Sequence, residues 1–231
     1  MHRLVLFDID GTLLTSMASG RRALRAAFAE EYDDLAFFES VRFDGKTDPQ
    51  ILTELHAAAG FPDRATDDGI ARLLDRYLSH LEGVIAATGD RVKACPGVPE
   101  LLDALGERDD VVMGLLTGNI VPGARLKLGA AGIDFDRFTM GAYGSDSAHR
   151  PDLPPIAAAR AEPFFGRVPH GPEVVIIGDT PADVSCGASI SARAIAVATG
   201  SYSVADLERT GAYATFPTLA DTTAVLNAIF A

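Results

Sequence analysis

The chain has 231 residues, of which 48% are hydrophobic and 23% charged. That is ordinary globular usage and excludes disordered, collagenous and coiled-coil chains. Lys and Arg total 20 against 32 Asp and Glu, a formal net charge of −12 with no basic run, which argues against a nucleic-acid backbone or an anionic membrane as partner.

The length suits one large domain or one domain with an insertion. Residues 4–9 form an apolar run broken only by Asp8, which predicts a buried strand ended by Gly11. The next stretch is different. Leu24, Phe28, Tyr32 and Leu35 recur at helical spacing, and Ile51, Leu52 and Leu55 lead into Gly60, a helix stop. Ile70, Leu73, Leu74, Tyr77, Leu81 and Ile85 make one long apolar stripe, and no strand is predicted among them.

From residue 92 the pattern alternates. Helices are predicted over 99–105, 122–131 and 219–230, and buried strands over 111–116, 174–177 and 194–198. Apolar strands alternating with helices predict an α/β fold, a Rossmann-like parallel sheet covered on both faces. Residues 1–14 and 92–231 are expected to form that core, and residues 15–91 an inserted helical module. Cys95 and Cys186 offer neither a disulfide framework nor a CxxC pair, so reduced thiols in a cytoplasmic protein are expected. The first acid, Asp8, comes too early for a signal peptide's apolar region, and no run approaches a membrane span.

Acids gather where the strands stop. Asp8 and Asp10 lie two apart, which in extended chain puts both on one side. Asp179 follows the strand at 174–177 directly, and Asp183 lies four residues on. Ligands of open α/β sheets bind beyond the carboxyl ends of the strands. There Asp8, Asp10, Asp179 and Asp183 would meet in one cluster. Bare carboxylates so close repel, and a hard divalent cation such as Mg²⁺ relieves them while leaving room for a phosphate. Thr117, Gly118 and Asn119, at a third strand end, offer donors for an anionic oxygen.

Other patterns are rejected. Gly45-Lys46-Thr47 ends like a P-loop but has Ser40 in place of the required glycine. Gly187 to Ser191 lacks the last glycine of a nucleophile elbow. The five histidines show no zinc spacing.

Asp8-x-Asp10-Gly11-Thr12, Leu116-Thr117-Gly118-Asn119 and Gly178-Asp179-x-x-x-Asp183 resemble, in order, three signatures of the haloacid dehalogenase-like hydrolases. The resemblance covers nearly the whole chain, and the helical insertion is similar to that superfamily's cap, which usually chooses the substrate. That implies a polar loop at residues 43–48 over the crevice, with Lys46 able to reach an anionic part of the substrate and Arg21 and Arg22 as weaker candidates of the same kind. A fourth signature is a basic residue, usually lysine; here Arg150 would replace it, keeping the charge with a planar fork suited to phosphate. The resemblance implies a phosphatase of small phosphorylated metabolites, of phosphoglycolate or sugar-phosphate type. Asp8 would be the nucleophile and Asp10 the general acid and base. Mg²⁺ would be held by Asp8, the Asp10 backbone carbonyl and Asp179, with Asp183 beside it. Thr117, Asn119 and Arg150 would bind the phosphoryl group. Dehalogenases of the superfamily lack the acid at the Asp10 position, so its presence favours phosphate esters. A phosphomutase using the same acids and a non-catalytic metal-binding module are the two alternatives.

Overall fold

The computed structural model describes residues 2–88 and 91–231. Along the chain run β1 (Arg3–Phe7), β2 (Leu14–Thr15), α1 (Ser19–Ala29), α2 (Asp48–Ala58), α3 (Asp67–Thr88), β3 (Lys93–Ala94), α4 (Val98–Gly106), β4 (Val111–Thr117) and α5 (Val121–Ala130). Then follow β5 (Met140–Tyr143), α6 (Leu153–Phe165), β6 (Val174–Gly178), α7 (Pro181–Cys186), β7 (Arg193–Val197), α8 (Val204–Glu208), β8 (Ala214–Phe216) and α9 (Thr222–Phe230).

Six strands form one parallel sheet in the order β5-β4-β1-β6-β7-β8. β1 is central, with Leu4 opposite both Val112 and Val174. Its side chains alternate between two cores: Val5 and Phe7 enter one, Leu4 and Leu6 the other. A strand covered on both faces must be apolar throughout, which is why β1 and β6 are legible as continuous runs. This is the expected Rossmann-like α/β fold.

β2 and β3 form a two-residue antiparallel ladder, Leu14 opposite Ala94 and Thr15 opposite Lys93, where the chain leaves the sheet and returns to it. Between them α1, α2 and α3 bury a third apolar cluster of their own. Ala23, Leu24, Ala27 and Phe28 of α1 meet Leu73, Tyr77 and Leu81 of α3, and Ile120 joins from the sheet side. The period-3.6 stripe on α3 is thus the face turned to α1. Gly60 adopts φ +84° just after α2, as a helix stop requires.

Differences from expectation are local. α1 ends at Ala29, before Tyr32 and Leu35, though both still pack on the helical cluster. Glu30 and Glu31 follow at once, the wrong charge for a helix C-terminus. β5 and β8 were not predicted. Both are edge strands, and Met-Gly-Ala-Tyr and Ala-Thr-Phe carry too little apolar bulk to stand out. Among the described residues no helix is long and apolar enough to cross a membrane.

Candidate active site

Asp8 follows β1 and keeps one sheet bond, its N–H donating to the Ile177 carbonyl at 3.0 Å. The chain then curls: the N–H groups of Thr12, Leu13 and Leu14 all donate to the Ile9 carbonyl. Gly11 takes φ +86°, and a Cβ there would fall 2.3 Å from Asp179 Oδ2. Only glycine satisfies both the left-handed turn and that approach.

Asp10, just past the turn at Ile9, lines the same crevice as Asp8, but its carboxylate stands apart from the expected four-acid cluster. Among the described residues Asp8, Asp179 and Asp183 form the acidic cluster, one carboxylate oxygen from each lying within 4.8 Å of the others. The Asp10 carboxylate is held elsewhere. Its Oδ1 accepts from Ser16 Oγ at 2.7 Å. Its Oδ2 accepts from Asn119 Nδ2 at 2.9 Å and from Lys127 Nζ at 2.6 Å.

Each member of the cluster has a distinct setting. Asp179 Oδ1 accepts from Thr12 Oγ1 at 3.1 Å. Asp183 is the most engaged: it closes a capping box with Thr180 at the start of α7 and pairs with Arg150. Arg150 Nη2 also lies 3.2 Å from Asp8 Oδ1. At 5% exposure Arg150 is a buried bridge between two acids, Asp8 and Asp183. The neighbouring His149 is exposed and pairs with Asp152.

The electrostatics leave this cluster short of positive charge. Burial pushes the Asp8 carboxyl up to about 7 against the pull of Arg150, with Asp183 adding to the rise. Burial, then the charges of Asp183 and Asp8, push Asp179 up to about 9 despite the Thr12 bond. Three buried carboxylates within reach of one another, Asp8 and Asp179 with raised proton affinity, are a donor set that fits a hard divalent cation. Burial also raises Asp10, but the Lys127 charge and the bonds from Lys127, Ser16 and Asn119 outweigh it and hold the acid below its ordinary value.

Asn119 turns out differently from expectation. Its Nδ2 donates to Asp10 and to Thr117 Oγ1, and its Oδ1 accepts from Lys127. Both amide hydrogens are engaged, so its side chain orders neighbours and offers no free donor to a phosphoryl oxygen. Thr117 Oγ1 accepts from the Asn119 side chain at 2.8 Å, which leaves the hydroxyl hydrogen free to donate.

The helical module closes the crevice through residues 43–48. Asp48 N–H donates to the Gly118 carbonyl at 2.7 Å, and Ile120 N–H donates to Asp48 Oδ2 at 3.0 Å. Thr47 Oγ1 donates to the Ala148 carbonyl at 2.7 Å. Gly118 permits this docking, since a Cβ there would lie 2.0 Å from the Lys46 carbonyl oxygen. The crevice measures about 490 Å³ and is lined by Asp8, Asp10, Thr117, Arg150 and Asp179 among others. Lys46 lines it as expected, but its Nζ is paired with Glu54 of α2. Arg21 also lines it, tied to the Phe38 and Val41 carbonyls and to Glu39. Arg22 bonds Thr88 instead and lines no part of it.

Sequence reasoning missed Lys127, Asp48 and Ser16. Lys127 had a signal. The buried residues of α5 are Gly123, Ala124, Lys127 and Leu128, so the lysine stands on the helix's inward stripe. Asp48 reads locally as a helix-start acid before Pro49, and nothing in sequence says that it faces α5.

A strand-end acid cluster, a buried basic bridge and a helical module closing over both define a hydrolase of one known class. The family model described as haloacid dehalogenase-like hydrolase matches residues 2–190, and the chain belongs to that family. A phosphoglycolate phosphatase of Rhodospirillum rubrum is 28% identical over 223 residues, 94% of this chain and 87% of that protein. A hydrolase from Pseudomonas syringae superposes with a TM-score of 0.75 at 25% identity, over 98% of each chain. The β-phosphoglucomutase of Clostridium difficile shares the fold, with a TM-score of 0.74 at 16% identity over 100% of this chain and 98% of that one.

Proposed function

We propose that this chain is a Mg²⁺-dependent phosphatase of a small phosphorylated metabolite, of phosphoglycolate or sugar-phosphate type, acting through an aspartyl-phosphate on Asp8. The observation that carries the reading is the placement of Asp8. It sits at the end of the central strand, buried, beside Asp179 and Asp183, bridged by Arg150 and facing the crevice under the helical module. The phosphoglycolate phosphatase relative supports the substrate type.

Asp8 and Asp179 would hold the metal, with Asp183 bound directly or through water and the Asp10 backbone carbonyl completing the protein's share. When bound, the cation neutralises the acids and draws charge from the transferring phosphoryl group. Residues 15–91 would act as the cap that excludes water. The Asp8 carboxylate attacks phosphorus in line; a bond from its oxygen to phosphorus forms as the ester P–O bond breaks. Arg150 and the Thr117 hydroxyl take the charge on the phosphoryl oxygens. Asp10 gives a proton to the departing alkoxide. It then accepts one from the water that attacks the aspartyl-phosphate, releasing phosphate and restoring Asp8.

The test is phosphate release from a panel of phosphorylated metabolites, with and without Mg²⁺, in wild type and Asp8→Asn. Metal-dependent release lost in the variant is the expected result, and the ranking of esters gives the substrate class. Transfer of phosphate to a second hydroxyl without net release would move the reading to a phosphomutase. Mg²⁺ binding with neither reaction would reduce it to a metal-binding module.

A further inference from the structure

Lys127 is 4% exposed, and its ammonium lies inside the protein at the junction of sheet and helical module. Its Nζ donates at 2.6 Å to Asp10 Oδ2 and at 2.6 Å to Asn119 Oδ1. A Cβ built on Gly20 of α1 would lie 3.2 Å from Nζ, so the inserted module closes over the lysine directly. Burying an ammonium is costly, and an apolar side chain of similar volume commonly stabilises a fold at least as well. The ion pair therefore calls for a reason beyond stability. Its geometry supplies one. Lys127 and Asn119 fix one oxygen of Asp10 and Ser16 fixes the other. The carboxylate plane is pinned from both ends, while 36% of the side chain still opens to the crevice. Asn119 is itself oriented by Thr117 and by Lys127, so the lysine sets the acid twice, directly and through the amide.

We propose that Lys127 is a positioning residue, which acts by holding the Asp10 carboxylate against the leaving oxygen of the substrate. The proposal rests on the reading of Asp10 as general acid.

The leaving group provides a test that a structural role would not pass. A nitrophenolate departs without a proton, whereas an alkoxide needs one. The full-length protein with Mg²⁺ is assayed on 4-nitrophenyl phosphate and on the alkyl phosphate hydrolysed fastest in the panel. The readout is kcat/KM, which reports formation of the aspartyl-phosphate. Asp10→Asn is expected to lose about 10²–10⁴-fold on the alkyl ester, the usual worth of a general acid, and only a few-fold on the aryl ester. Lys127→Met is expected to lose about 10²-fold on the alkyl ester, as for a misplaced catalytic group, and under about threefold on the aryl ester. KM should stay near wild type, and Lys127→Arg should recover part of the loss. In the double variant the lysine change should cost nothing beyond Asp10→Asn.

Equal losses on both esters, or a further loss in the double variant, would overturn the role of Lys127 while leaving Asp10 in place. No ester dependence in Asp10→Asn would refute the general-acid reading instead. If Lys127→Met does not fold, the double variant, which removes both charges, decides by the same comparison.

Discussion

Gly118→Ala should disable closure with little damage to the sheet. A Cβ at this position would lie 2.0 Å from the Lys46 carbonyl oxygen, 2.8 Å from its carbon and 2.9 Å from the Thr47 Cα. All three are backbone atoms, so no side chain can swing aside. The loop must retreat by more than an ångström to reach ordinary contact. That movement breaks the bonds Asp48 N to Gly118 O, Ile120 N to Asp48 Oδ2 and Thr47 Oγ1 to Ala148 O. At a net worth of about 0.5–1.5 kcal/mol each, three bonds put the loss of docking at about 1.5–4.5 kcal/mol. If turnover needs the docked state, kcat/KM falls by about 10- to 2,000-fold. The assay is steady-state hydrolysis of the best alkyl phosphate, with a thermal melt alongside. The expected melt shows a small change, because Gly118 lies beyond the end of β4. A variant within threefold of wild-type kcat/KM would refute the claim that this loop must seat for catalysis.

Further outcomes follow from the buried charges. Arg150→Met strands the Asp8 and Asp183 carboxylates; removing one partner of a buried ion pair costs about 3–5 kcal/mol. For a chain of this size that lowers Tm by about 6–20 °C, read by calorimetry in EDTA. Arg150→Lys should keep part of both stability and activity. The pH dependence of stability also has a definite sign. Burial lifts Asp8 to about 7 and Asp179 to about 9, above the ordinary 3.8 that holds in the unfolded chain. Over that window the folded state binds more protons than the unfolded state, so stability falls as pH rises. Melting in EDTA should therefore drop steadily from about pH 5 to about pH 8, and saturating Mg²⁺ should flatten the slope. A Tm independent of pH in EDTA would show that these acids are not so perturbed.

Legibility from sequence tracked burial on two faces. β1, β4, β6 and β7 announce themselves because each must be apolar throughout, and three of them carry the signatures at their ends. β5 and β8 do not, since an edge strand can be built from Gly, Ala and Thr. Asp8, Asp179 and Asp183 were legible because the parallel sheet brings strand ends together whatever the loops do. Asp10 lines the crevice as its spacing from Asp8 suggests, but Ser16, Asn119 and Lys127 draw its carboxylate out of the acid cluster, and two of those partners are set by a turn and a helix face. Asn119 reads as a phosphate donor in isolation; its real partners, Asp10 and Lys127, are set by a turn and a helix face. Lys127 hid because lysine on an amphipathic helix ordinarily marks the wet side. Its position beside Ala124 and Leu128 contradicts that habit, and such a contradiction is where a functional residue is to be sought.

The central position of β1 has a consequence for biosynthesis. Arg3–Phe7 pairs with Val111–Thr117 on one side and Val174–Gly178 on the other. A ribosome adding about 5–20 residues per second makes the first strand roughly ten to thirty seconds before its second neighbour exists. During that interval Leu4, Val5, Leu6 and Phe7 have no finished sheet to enter. The three helices between Ser19 and Thr88, with their own apolar cluster, can assemble first. The nascent chain thus carries Asp8 at the end of a hydrophobic strand with one edge unpaired until β6 emerges. Holdase chaperones that bind short apolar segments would find a site in Leu4–Phe7 during that interval.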